Sequence, residues 1–413
     1  MGMVALAAAW SMAKSVVAAV LAYWQSGLYP KHRLLLPLLV LPLLALSSCS
    51  LPQVKAEDRL FLPLTLEFLG RYQLPSQTFE DTQIGGLSGL TYDRQTNRIY
   101  AISDDRSKFA PARFYTLKLD LAPDPASGIG NITVERVTML KNENGEPFAV
   151  GSLDPEGIAL SPRRSLFIAS EGDPDQSIAP FIDEFELATG DWRGRLPIPN
   201  RYLPQTDAGT ALGVQTNQGF EALTLNAGSY GNTQVEPFRL FAATEAALHQ
   251  DLSPNLPTAP QPTYLRFLHY LIDADRSLLL AEHVYPIDPL PATDENLGLS
   301  ELLVLDQGGH FLSLERAFGL TGFSGKIFQL ATGGATDISS IPGLAGDITG
   351  LTPIYKRLVL DLSDLGIPLD NFEGMTLGPQ LPDGSASLIL VSDDNFNPLQ
   401  TTEFLLFRLR QGK

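Results

Sequence analysis

The sequence predicts an all-β protein folded as a β-propeller, and three observations carry that expectation. Glycine (35 residues) and proline (31) are frequent and scattered between many short apolar runs, the pattern of numerous turns joining short strands. After residue 60 no long segment keeps helical periodicity with caps. A hairpin unit also recurs at intervals of roughly 50–70 residues, one sheet per repeat, which is the mark of propeller blades.

The clearest copy runs from Leu153 to Gly172. Asp154-Pro155-Glu156-Gly157 opens a short apolar strand, the polar turn Ser161 to Ser165 reverses the chain, and Leu166 to Ser170 return before Glu171. In an antiparallel pair the start of one strand lies beside the end of the next, so Glu156 and Glu171 are expected at one sheet edge. The unit returns at Gly85–Asp105, at Gly219–Glu245 with a longer insertion, more loosely at Ser300–Glu315, and at Asn371–Asp394. A polar residue opens each copy (Ser88, Glu156, Glu221, Glu301, Glu373). An acid closes it (Asp104 or Asp105, Glu171, Glu245, Glu315, Asp393 or Asp394).

A blade cannot cover both its faces alone, and stacking blades around an axis does so. The body from about residue 61 to 411 has room for six blades of ordinary size, and seven also fit. Uneven spacing is assigned to insertions between blades, such as Ala246 to Tyr264. The segments Leu64–Leu74 and Glu403–Leu409 both read as strands, and their joining in one blade would close the ring and remove an exposed edge. A double-sheet sandwich is the rival fold, but it leaves the repeated acids at one rim unexplained.

The amino-terminal fifty residues stand apart. Lys31-His32-Arg33 precede an apolar run from Leu34 to Leu46, followed by Ser47-Ser48-Cys49, the layout of an export signal. Leu-Ser-Ser-Cys resembles the lipobox of bacterial lipoproteins, which implies cleavage before Cys49 and a diacylglycerol on its thiol. An ordinary signal peptide or an uncleaved anchor helix is the plainer alternative. Val4 to Trp24, interrupted by Lys14, reads either as a first span or as an extension from an upstream start. The expected organisation is an export segment over 1–49, a tether over 50–60 and a propeller over 61–413. The expected location is the cell envelope, periplasm or exterior, with the membrane as partner through the amino terminus.

Cys49 is the sole cysteine, so no intrachain disulfide can form. The net charge of −17 repels phosphate backbones and argues against a nucleic-acid partner. It suits solubility in an exported protein, and it suits divalent cations. There is no nucleophile-elbow, P-loop or dinucleotide fingerprint, and the five histidines form no pair at metal-ligand spacing.

The acids are therefore the candidate site. Carboxylates converging on one propeller face can bind Ca²⁺ or a similar ion through hard oxygen ligands, and Glu156, Glu171, Glu221, Glu373, Asp105 and Asp393 are the candidate ligands. Such a cation can clasp the ring, or it can present an ester oxygen to water. The plainer role for each acid is to accept loop amides and fix its blade. Arg106, Arg113 and Arg316 are the candidate contacts for an anionic ligand, each with an acid close by in sequence as an alternative partner.

Five motifs in order, Gly-Leu-Ser-Gly-Leu to Ile-Ser-Asp-Asp, Asp-Pro-Glu-Gly-Ile to Ser-Glu-Gly, Gly-Phe-Glu-Ala-Leu-Thr, Leu-Glu-Arg and Asn-Phe-Glu-Gly-Met-Thr to Val-Ser-Asp-Asp-Asn, resemble the phytase-like family described as "esterase-like activity of phytase". The resemblance covers about residues 80–410. It implies a secreted or envelope β-propeller and a Ca²⁺-assisted hydrolase of phosphate or carboxylic esters. The matching positions are Asp104, Asp105, Glu156, Glu171, Glu221, Glu315, Arg316, Glu373, Asp393 and Asp394. The chain lacks the clustered Lys and Arg that a highly phosphorylated substrate such as phytate calls for. Two functions follow: a metal-assisted ester hydrolase, or a non-catalytic envelope propeller that binds or scaffolds.

Overall fold

The computed structural model describes residues 60–412, apart from 125–127, 227–235, 255–260, 275, 290–293 and 321. Cys49 and the whole export segment lie outside the described residues. No helix among the described residues is long and apolar enough to cross a membrane.

Five four-stranded antiparallel sheets follow one another along the chain. Blade I comprises Leu87–Asp93, Arg98–Ser103, Arg113–Leu121 and Ile129–Met139. Blade II comprises Pro155–Leu160, Ser165–Ser170, Phe181–Glu186 and Trp192–Arg195. Blade III is Phe220–Asn226, Phe238–Thr244, Thr263–Ile272 and Ser277–Ile287; blade IV is Asp294–Val304, His310–Gly319, Gly322–Ala331 and Tyr355–Asp361. Blade V takes Asn371–Leu377, Ala386–Asp393 and Glu403–Gln411 from the carboxyl end, and Leu64–Gln73 from the amino end completes it. The closing pair is antiparallel, from Leu64 opposite Gln411 to Gln73 opposite Glu403, so ring closure by both chain ends is as the sequence predicts.

The blade count is five among the described residues, not the expected six. The surplus length lies in insertions. Small hairpins (Thr78–Gln83 and Gln205–Leu212) sit outside the blades, and long connections lie within them. The segment after Ala246, expected between blades, joins the second and third strands of blade III.

The first strand of every blade lines the axis, and each touches its two neighbours around the ring. These strands read as near-continuous buried runs because both flanks are covered; Phe220–Asn226 and Asn371–Leu377 are buried along all but their last residue. The apolar core accordingly holds five large clusters, one at each blade interface, and a small sixth of Val284, Ile338 and Leu344. Burying the alternate faces of adjacent sheets against each other supplies the main driving force for the ring.

Candidate functional site: an acidic cavity on the propeller axis

The first two strands of each blade pair through a β-bulge at the same place. The register shifts between Leu87 and Gly89, Pro155 and Ile158, Phe220 and Ala222, Leu299 and Glu301, and Phe372 and Gly374. A bulge leaves an extra residue unpaired and re-aims its side chain. The residues so placed are Ser88, Glu156, Glu221, Ser300 and Glu373.

The residue after the bulge explains the recurrent Glu-Gly. A Cβ on Gly89 would lie 2.4 Å from the Glu156 carbonyl oxygen, one on Gly157 2.5 Å from the Glu221 carbonyl oxygen, and one on Gly374 2.9 Å from the Ser88 carbonyl oxygen. Each glycine thus admits the backbone of the next blade, which draws the bulge residues together.

The second strands contribute a further ring. Ser103, Ser170, Thr244, Glu315 and Ser392 are the last residues paired before the bulge. The residues that follow are Asp104, Glu171, Glu245, Arg316 and Asp393. Blade IV therefore places an arginine where the other four place an acid.

All of these side chains except Ser88 and Ser300 line one cavity of about 500 Å³, which holds seven carboxyl groups and two guanidinium groups, those of Arg106 and Arg316. One oxygen each of Glu156, Glu221 and Glu373 lies within 4.8 Å of the others, and Asp154, Glu156 and Glu171 form a second such trio. Arg316 reaches Glu373 at 2.8 Å and Glu245 at 3.2 Å. The Arg106 Nε donates to Asp154 at 2.7 Å. Glu171 also accepts the Gly219 amide at 2.9 Å, and Asn371 Nδ2 donates to Glu373 at 2.8 Å. Polar atoms of Asp104 (Oδ1), Ser300 (Oγ), Asn371 (Oδ1) and Arg316 (Nε) are buried with no hydrogen-bond partner.

Crowding shows in the ionisation of the acids. Burial, then the charges of Glu373, Asp154, Asp105 and Asp394, raises the Asp104 pKa to about 8. Glu156 is pushed well above the usual carboxyl range by desolvation and then by Glu221, Asp154, Asp104 and Glu171. Glu221, Glu171 and Asp393 rise likewise, each through burial first and neighbouring carboxylates second. Burial also raises Glu373 and Glu245, although Arg316 opposes it in both. So many carboxyl groups in contact cannot all ionise unless a cation joins them.

Of the ligand candidates, Glu156, Glu171, Glu221, Glu373 and Asp393 meet in this cavity, and Asp105 does not. Asp105 is turned to the loop, where it accepts the amides of Lys108, Phe109 and Ala110 and the Arg113 guanidinium at 2.7 Å. Successive residues point to opposite sides, so Asp104 faces the axis in its place. Arg113 is wholly buried between Asp105, the Tyr115 hydroxyl and the Gln83 carbonyl, out of reach of a ligand. Arg106 and Arg316 do line the cavity.

The looser fourth repeat is offset by one residue. Glu301 accepts the amides of Leu223 and Leu302, and Glu315 accepts the Tyr285 hydroxyl and Lys356; both support the fold, and Ser300 and Arg316 take the axial places. Asp394 accepts the Gly86 amide at 2.8 Å and fixes a loop. Sequence reasoning overlooked Asp154, which stood in the quoted Asp-Pro-Glu, and Asn371, Phe318 and Phe323, for which the repeat pattern held no signal.

At the far end of the same strands, Leu90, Ile158, Leu223, Leu302 and Met375 are nearly fully buried and help to line a separate cavity of about 380 Å³. The seven clustered acids thus lie at one end of the axis, and Asp306 is the acid lining the cavity at the other.

An all-β propeller with one acidic axial cavity is the class that fold and site define. The phytase-like family, described as esterase-like activity of phytase, matches residues 82–396, and the chain belongs to it. Among solved structures, a thermostable family-43 glycoside hydrolase aligns with 83% of this chain and 94% of its own, at 11% identity and a TM-score of 0.44. An endo-arabinase from Bacteroides thetaiotaomicron aligns over 82% and 99%, at 11% identity and a TM-score of 0.38. A DUF4221 member from Bacteroides vulgatus aligns over 85% and 99%, at 10% identity and a TM-score of 0.35. Similarity at this level carries no information about chemistry. No curated protein matches the chain.

Proposed function

We propose that the axial cavity binds a divalent cation of the Ca²⁺ type and hydrolyses a phosphate or carboxylic ester. The observation that supports this most is the trio Glu156, Glu221 and Glu373, contributed by three different blades with oxygens within 4.8 Å of one another. An ion with Ca–O distances of roughly 2.4 Å fits between oxygens so spaced. The buried, unpartnered Asn371 Oδ1 is a neutral oxygen of the kind such ions accept alongside carboxylates and water. An arginine answers part of the charge in both trios, Arg316 on Glu373 and Arg106 on Asp154; the central one is favoured because its acids come from three blades, whereas Asp154, Glu156 and Glu171 all belong to blade II.

A cation held there supplies Lewis-acid chemistry toward an ester oxygen and toward water. The chain's own residues supply the rest. Arg316 keeps its charge among the acids around it: desolvation works against it, and Glu373 and Glu245 more than compensate, raising its pKa. Its guanidinium lines the cavity and can meet an anionic oxygen of the ester. Asp104 lines the same cavity, where a carboxyl group can pass a proton to the departing oxygen. The loop-facing acids Asp105 and Asp394 fix the segments beside it.

The test is turnover of an aryl phosphate and an aryl acetate with and without chelator. Activity is expected to disappear in chelator and return with Ca²⁺. Glu156→Gln and Glu373→Gln should each lower the rate at least about tenfold with the fold intact. Rates untouched by chelator and by both substitutions overturn the mechanism. A metal-dependent rise in melting temperature without turnover on either ester favours a structural clasp and a binding propeller instead.

A further inference from the structure

The wall of the cavity at blade IV differs from the other four. In blades I, II, III and V the second strand ends at Ser103, Ser170, Thr244 and Asp393, at or just before its axial acid. In blade IV that strand continues past Arg316 to Gly319 and pairs with the next down to Gly322. Arg316 and Phe318 are two residues apart, so both point to the same side, and both line the cavity. Phe318 lies directly across the ladder from Phe323. Their ring centroids are 4.8 Å apart at 46°, and Phe323 also lines the cavity. Phe318 remains 41% exposed and Leu320, at the turn, 82%.

Exposed aromatic surface beside a cavity lined otherwise by charged and amide side chains gains nothing from the ionic chemistry below it. It gains from an occupant that brings apolar surface of its own. The guanidinium of Arg316, which lines the same cavity beside the rings, sets the other end of that occupant as an anion. We propose that Phe318 and Phe323 recognise the aromatic or similarly apolar portion of an anionic ester whose charged oxygen lies against Arg316. The inference rests on the reading of this cavity as an ester site and adds the class of ester. A substrate that presents only charge, with no apolar part, leaves the wall unused.

The experiment measures binding of inorganic phosphate, methyl phosphate and phenyl phosphate to the Ca²⁺-loaded full chain by calorimetry. Phenyl phosphate is expected to bind roughly tenfold more tightly than methyl phosphate. In Phe318→Ala/Phe323→Ala that preference should shrink to about twofold or less while inorganic phosphate binds as before, and Phe318→Trp should retain it. Both rings are at the rim rather than in the core, and a far-ultraviolet spectrum with a thermal melt checks that the double variant folds. Should it not fold, Phe318→Ser alone is expected to lower the preference without altering phosphate binding. Phosphate binding with equal affinity for the two esters, or a phenyl preference that survives loss of both rings, overturns the aromatic wall and leaves the ester site standing. No binding of any of the three overturns this inference and the phosphate-ester reading together, and the aryl acetate assay then decides the carboxylic-ester reading on its own.

Discussion

A one-residue difference decides which acids act on the axis. Asp104 and Asp105 are adjacent, yet the first is raised to about 8 by burial and four other acids. In the second, burial is outweighed by Arg113 and three loop amides, which hold its pKa low. The axial carboxyl groups take up protons on folding, because their folded pKa values exceed their unfolded ones. Stability from such groups is complete below the unfolded value and is lost as pH rises through the folded value. For Asp104 that window runs from about pH 4 to about pH 8, and Glu156, Glu171, Glu221 and Asp393 act in the same direction. The low-pKa acids Asp93 and Asp105 act below this window with the opposite sign. The melting temperature of the chelated protein should therefore fall as pH rises from about 5 to about 8, and Ca²⁺ should raise it more at the upper pH than at the lower. A Ca²⁺ effect independent of pH would mean that the ion binds elsewhere.

At the scale of the element, the repeated hairpin and the acids at its ends were legible because strand alternation and turn chemistry are local. The bulge was not. Ser300-Glu301 offers two polar residues for one axial place, and Glu315-Arg316 offers two charged ones. Only the register shift between Leu299 and Glu301 selects Ser300 and Arg316. Glycine after the bulge is the device that brings blades close, and it can be tested directly. Gly157→Ala sets a Cβ 2.5 Å from the Glu221 carbonyl oxygen and 2.8 Å from Leu223 Cβ, contacts that only a shift of the inner strand relieves. The cost is expected to be about 1–3 kcal/mol by denaturant unfolding, with weaker Ca²⁺ binding because Glu156 and Glu221 move apart. Gly194→Ala, where nothing lies within 4 Å, is the control and should be near neutral. Equal behaviour of the two variants would show that close approach of blades II and III is not what the glycine serves.

For the whole molecule, the sequence overestimated the blades because it divided total length by an ordinary blade, and connections within blades absorbed the difference. It located the closure correctly, since two apolar alternating segments at opposite ends of a ring need each other. The strand Leu64–Gln73 pairs along the full length of Glu403–Gln411. It also brings Leu69 into the core between blades V and I, and Leu64, Leu66 and Phe68 against the core between blades IV and V. A chain beginning at residue 75 would lose this burial, worth roughly 1.5–3 kcal/mol for each fully covered side chain, and would leave Glu403–Gln411 as an open edge. It is expected to melt at a lower temperature and to elute as larger assemblies than a chain beginning at residue 60, which should melt as one cooperative unit. A synthetic peptide spanning residues 60–75 should return the shortened chain to the elution volume and melting temperature of the chain beginning at residue 60 by adding the missing strand at that edge. If the shortened chain elutes and melts as the chain beginning at residue 60 does, the ring is held by its inner strands alone, and the closing strand is dispensable to it.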